Sequence, residues 1–176
     1  IFETLRKLEG HASIKVVKTW LNGWATSTRM HEDKDLGCLL GCCNQHDSLR
    51  HYIHCPHLLA LQKYLFQDIS DEPRIRFGIK DPSVSFLKII GFTFSAYHAL
   101  KANYRSGKFS NAPDGMTQTQ LRKNWSLFAE VLMTEAGEAH VHHRAFSLAR
   151  FICYLCNGSL PANSISECMH VHPDIS

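Results

Sequence analysis

Apolar residues return every three to four positions along five stretches of the chain, and each stretch predicts a helix. Over residues 12–28 the stripe is Ile14, Val17, Leu21 and Trp24, widened by Val16 and Trp20, with Gly23 weakening the second half. Pro56 can open a second helix at its first position, with Leu58, Leu61 and Leu65 on the apolar face. Residues 83–105 are apolar on two faces: Phe86, Ile90, Tyr97, Leu100 and Tyr104 on one, Val84, Leu87, Gly91 and Phe94 on the other. Such a helix is normally central and covered by its neighbours. Thr117 and Gln120 form a capping box ahead of the stripe Leu121, Trp125, Phe128 and Leu132. A last helix is expected over 139–156, carrying Val141, Ala145, Leu148, Ile152 and Leu155.

Between these stretches the pattern breaks. Residues 29–37 are polar and aperiodic, and 68–82 read as a connector with a short extended piece at 75–79. Residues 106–115 are rich in turn formers. The expected organisation is helices plus a small metal-binding module over 1–68, a connector over 69–82, a helical region over 83–158 and a flexible tail over 159–176. The fold class is mainly α, a helical array with a small CCHC zinc-knuckle-like insertion.

Composition changes this picture in two places. The 176 residues are 44% hydrophobic and 20% charged, with a net charge of +3, which suits a globular protein and does not by itself mark a nucleic-acid binder. The best candidate for a membrane span, 84–104, contains Lys88, His98 and Lys101, so no membrane role is expected. The first residues are charged and amphipathic rather than a leader, and a chain starting at Ile reads as a piece of something longer. The 12 His and 7 Cys stand out, because four cysteines fall between Cys38 and Cys55 among histidines. That mixture points to zinc in a reducing compartment, so an intracellular location, nuclear or cytoplasmic, is expected.

Zn²⁺ takes four borderline or soft ligands at tetrahedral corners, at about 2.0–2.3 Å. Cys38 and Cys42, on a Gly-containing turn, can supply one edge, with Cys43 as the alternative to Cys42. His51 and Cys55, four residues apart, can supply the other if they share a helix face. His46 is a spare candidate, and His54 adjoins Cys55 too closely to reach the same ion. A closed four-ligand site leaves no position for activated water, so the zinc would be structural. A second cluster, Cys153, Cys156, Cys168, His170 and His172, reads as packing residues and tail, and His140, His142 and His143 as a solvated helix start.

The run Trp20-Leu-Asn-Gly-Trp24, then Cys38-Leu-Leu-Gly-Cys42, then Asp47-Ser-Leu-Arg-His51-Tyr-Ile-His-Cys55-Pro56 resembles the zinc-binding region that follows the polymerase core of non-LTR retroelement reverse transcriptases. That pattern is two cysteines, an acidic-Thr/Ser-apolar-x-His element, an apolar stretch and Cys-Pro, over about residues 19–60. Both ligand gaps depart from the commoner family spacing, three residues against two and three against four. The resemblance implies Cys38, Cys42, His51 and Cys55 as ligands, an upstream polymerase domain in a parent chain, and assistance in handling RNA or DNA.

No enzyme activity is expected of this chain. Reverse transcription needs paired Asp residues for two Mg²⁺ ions, and no Asp-Asp dipeptide exists. Asp71, Glu72, Lys80 and Asp81 are better read as solvated loop charges than as a nuclease. For nucleic-acid contact, residues 99–125 carry five Lys/Arg against one acid, interleaved with Tyr104, Phe109 and Trp125. Cations with rings suit phosphates and bases. Arg29, Arg50, Lys101, Arg105, Arg122 and Lys123 are the expected contacts. The competing readings are a zinc-stabilised protein-interaction scaffold and an inactive retroelement fragment.

Overall fold

The computed structural model describes residues 2–34, 36–42, 44–66, 69–109 and 116–136, which form eight helices and no strand. In chain order these are α1 (Phe2–Arg6), α2 (Gly10–Trp20), α3 (Ser27–Met30), α4 (Leu49–His54), α5 (Pro56–Leu65), α6 (Pro73–Arg76), α7 (Val84–Arg105) and α8 (Gln118–Ala136). The expected mainly α class is what the structure has. The expected helix over 139–156, the tail and the second Cys/His group lie outside the described residues. No helix among the described residues is long and apolar enough to cross a membrane.

The two-faced stretch is the central helix. α7 packs along both α2 and α8, with Leu87, Ile90, Tyr97 and Leu100 all buried. Ser83 caps it by accepting from the Phe86 N–H at 3.1 Å. α8 turns Trp125, Phe128 and Leu132 inward, as its stripe predicts. Its Thr117 hydroxyl accepts from the Gln120 N–H at 3.2 Å, but the Gln120 side chain donates to Asn124, so only half of the expected box forms. Leu58, Leu61 and Leu65 of α5 join the same core.

Two expectations are corrected. The first helix stops at Trp20 instead of running to 28. Asn22 adopts φ 54°, its N–H donates to Thr19 and that of Gly23 to Lys18, closing a Schellman stop. Its buried face is also not the expected stripe. Ile14 and Leu21 are 57% and 75% exposed, whereas Val16 and Thr19 are buried. Trp20 Nε1 donates to the Phe77 carbonyl at 2.8 Å, and Trp24 Nε1 to Thr19 Oγ1 at 2.9 Å. These bonds choose between two adjacent apolar stripes that periodicity cannot rank. Residues 73–76, expected at the edge of an extended piece, instead make the single-turn helix α6 with Pro73 at its start. Buried Arg76 at its end donates to the Ile53 carbonyl and to Gln62 Oε1, bracing the end of α4.

Candidate metal centre

Residues 37–42 form a tight turn because two glycines take left-handed backbone, Gly37 at φ 66° and Gly41 at φ 89°. A Cβ on Gly41 would meet the Leu121 side chain at 2.5 Å, so α8 lies directly over the turn. Within it Gly41 N–H donates to the Cys38 carbonyl at 2.9 Å, and Cys38 N–H to Gln45 at 2.9 Å. Cys38 and Cys42 therefore leave one small loop toward the same point.

The second pair arrives by a route different from the one expected. Ser48 caps α4 by accepting from the His51 N–H at 3.2 Å, and α4 presents His51. Cys55 is not on that helix. It sits at the α4–α5 corner in extended backbone, caps α5, and its Sγ accepts from the Leu58 N–H at 3.4 Å. Pro56 then starts α5. The corner, not a shared helix face, brings His51 and Cys55 together.

The donor atoms of Cys38, Cys42, His51 and Cys55 all lie within 4.8 Å of one another. Cys55 Sγ stands 4.0 Å from Cys38 Sγ and 3.6 Å from Cys42 Sγ. A tetrahedron with 2.3 Å metal–sulfur bonds has an edge of about 3.8 Å. His51 Nε2 is buried and has no hydrogen-bond partner, a loss that a metal bond would make good. The residues present fit a metal ion. Cys43 lies outside the described residues. His54 is exposed, and His46 is not part of the group.

Electrostatics agree with the need for a cation. The three thiols are linked to one another by hydrogen bonds. Bonds from Cys42 and Cys55 hold Cys38 far below the usual thiol range. The hydrogen bonds they give to Cys38, with burial and the Cys38 charge adding to them, push Cys42 up to about 12 and Cys55 far higher. A bound divalent cation reverses this, because coordinated thiols deprotonate.

Three helices grip the turn from outside. Leu39 N–H donates to Tyr52 Oη of α4 at 3.1 Å, and the Leu39 carbonyl accepts from Asn124 Nδ2 of α8 at 2.7 Å. His57 of α5 lies 2.7 Å from the Leu40 carbonyl through Nδ1, so that nitrogen carries the proton; it also lies 3.6 Å from Cys42 Sγ. Partners of this kind orient ligands and tune them. His57 and Asn124 were not among the residues expected from sequence. His57 had the signal of standing two positions after Cys55, whereas Asn124 had none.

Tyr52 also ties the turn to a second buried cluster. Its hydroxyl donates to Asp47 Oδ1 at 3.0 Å, and Asp47 is fully buried. Asp47 further accepts from the Ser27 N–H at 2.7 Å, Tyr97 Oη at 3.0 Å and Lys101 Nζ at 2.8 Å. Lys101 Nζ also meets Glu32 Oε2 at 2.7 Å and Ser27 Oγ at 2.6 Å. This corrects one expectation: Lys101 is 1% exposed and serves Asp47 and Glu32, so it is no phosphate contact. Arg105 is exposed but forked onto Glu32 Oε1 at 2.7 and 3.2 Å. Burial acts to raise the Glu32 pKa, but hydrogen bonds from Lys101, Arg105 and Ser27 outweigh it and lower it to about 2.

The remaining expected cations are surface residues. Arg29, Arg50, Arg122 and Lys123 are exposed, and Arg29 and Arg50 line one cleft. The expected stacking rings are not free: Trp125 is fully buried, and half-buried Tyr104 and Phe109 pack on each other at 5.4 Å. Asp71 and Glu72 pair with Lys63 and Lys80, as solvated loop charges do.

Comparison with protein-family models, with curated proteins and with solved structures found no match to this chain. Fold and site together define a helical domain with a Cys₃His group that could hold a metal ion.

Proposed function

We propose that this chain is a structural-zinc, nucleic-acid-associated module of a reverse-transcriptase-like retroelement protein, without catalysis of its own. The observation that carries the zinc reading is the convergence of three sulfurs and a buried, unpartnered imidazole nitrogen within 4.8 Å. Cys38, Cys42, His51 and Cys55 would hold the ion, which supplies a cross-link between turn and corner. All four donors are protein groups, which leaves no open position for a water nucleophile. Zinc is favoured over other divalent ions by the thiolate-rich, four-donor set.

The nucleic-acid part rests on the motif resemblance over residues 19–60 and on four cations, Arg29, Arg50, Arg122 and Lys123, that have no ion pair among the described residues. Elemental analysis of the purified chain should give one zinc per chain. Cobalt substitution should give a thiolate charge-transfer band that Cys55→Ser weakens. A metal-free, folded chain, or cobalt spectra lacking that band, would refute the zinc reading.

One observation favours a second reading, a protein-interaction scaffold. Phe2 of α1, Ile14 of α2 and Leu21 just past it expose apolar side chains, and exposed apolar surface can mark contact sites. A folded, zinc-loaded chain without affinity for RNA or DNA would favour it.

A further inference from the structure

A cleft of about 560 Å³ opens between α3, the start of α4 and the end of the α2 stop, a size that suits a small-molecule group rather than a broad docking face. Arg29 and Arg50 enter it from different elements, together with His31, His46, Thr28 and Ser48. Arg50 makes no hydrogen bond or ion pair among the described residues, and the Arg29 guanidinium reaches only Met30 Sδ, at 3.7 Å. The one acid in the lining, Glu32, is already matched by Lys101 and Arg105. Among the described residues the cleft thus holds two guanidiniums with no acidic partner.

His31 adds an independent observation. It ends α3 in left-handed backbone at φ 52°, where glycine is usual and a histidine is strained. His31 is exposed and lines the same cleft as the two guanidiniums. Guanidiniums for phosphate and an imidazole plane for a base are the groups that read unpaired nucleotides.

We propose that this cleft seats one nucleotide of a single-stranded nucleic acid, its phosphate on Arg29 and Arg50 and its base against His31. This rests on the nucleic-acid reading above and gives it a place. A duplex backbone needs a longer row of cations than the two guanidiniums of one open cleft supply.

The test is fluorescence anisotropy of the full, zinc-loaded chain with a labelled single-stranded RNA of about 12 nucleotides, across a salt series, with adenosine monophosphate as competitor. Arg29→Ala/Arg50→Ala should weaken binding about tenfold or more and reduce the log–log salt slope by about 0.7, the value for one phosphate contact on a single strand. His31→Gly should weaken binding about fivefold or more, while far-ultraviolet circular dichroism stays unchanged because glycine suits that backbone. Arg74→Ala, at an exposed position of α6, should change neither quantity. If the wild-type chain binds RNA but the double variant keeps both affinity and slope, the cleft assignment is wrong and the nucleic-acid reading survives. If the folded wild-type chain binds no RNA, both fall together. Binding of adenosine monophosphate without RNA would overturn the assignment in favour of a free-nucleotide site.

Discussion

Two buried polar clusters meet at Tyr52, and they close in opposite ways. Around Asp47, two carboxylates face two cations, and hydroxyls from Ser27, Tyr52 and Tyr97 add further bonds. That cluster is balanced by protein groups alone. Around Cys55, three sulfurs and an imidazole gather with one buried nitrogen unpartnered and no cation within the set. The same chain therefore satisfies one cluster internally and leaves the other with a donor set that could hold an ion. Because Leu39 hangs between Tyr52 and Asn124, the balanced cluster also holds the turn on which the unbalanced one depends.

The largest effect is expected where burial is deepest. Lys101→Met leaves fully buried Asp47 without its cation, at a cost of about 3–5 kcal/mol. Arg105→Ala removes an exposed partner of the same Glu32 and should cost about 0–1 kcal/mol. Urea unfolding at pH 7 with saturating zinc measures both. Zinc content should stay at one per chain in each variant, which separates the two clusters. Equal losses for Lys101→Met and Arg105→Ala would mean that the Asp47 cluster is not the anchor described here.

Asn124→Ala attacks the link instead. It strips the donor from the buried Leu39 carbonyl, which should cost about 1–3 kcal/mol. It should also weaken zinc affinity about 10- to 100-fold, as loss of an outer partner does. Competition against a chromophoric chelator reads the second number. A stability loss with unchanged zinc affinity would show that α8 supports the fold but not the turn.

The Cys₃His group was legible in the sequence because its four members lie within residues 38–55, where spacing alone limits the geometry. The central helix and the faces of α5 and α8 were legible for the same local reason. What failed was long-range. Lys101 looked like a surface cation because its partner Asp47 is 54 residues away. Asn124 gave no signal because Leu39 is 85 residues away. The α2 face was misassigned because Trp20 finds its acceptor at Phe77, 57 residues on. Periodicity shows that a face exists; distant polar partners decide which face turns inward.

Acid should act most gently, through Glu32 of the balanced cluster and through His98 outside both, since each retains contact with solvent. His98 packs on Phe94 at 4.1 Å, with Nε2 buried and unpartnered. Burial first, then the charges of Lys18 and Arg105, lower its pKa from 6.5 to about 4. The native state thus binds fewer protons than the unfolded state in that window, and stability falls as pH drops from about 6.5 toward 4. Glu32, lowered from 4.5 to about 2, contributes stability that is present above about 4.5 and lost as pH falls toward 2. Ligand protonation displaces metal in the same range, so urea midpoints need zinc content measured alongside. His98→Phe should flatten the upper part of the profile and leave the lower part intact. If the upper slope persists in that variant while zinc stays bound, the early acid sensitivity comes from elsewhere than His98.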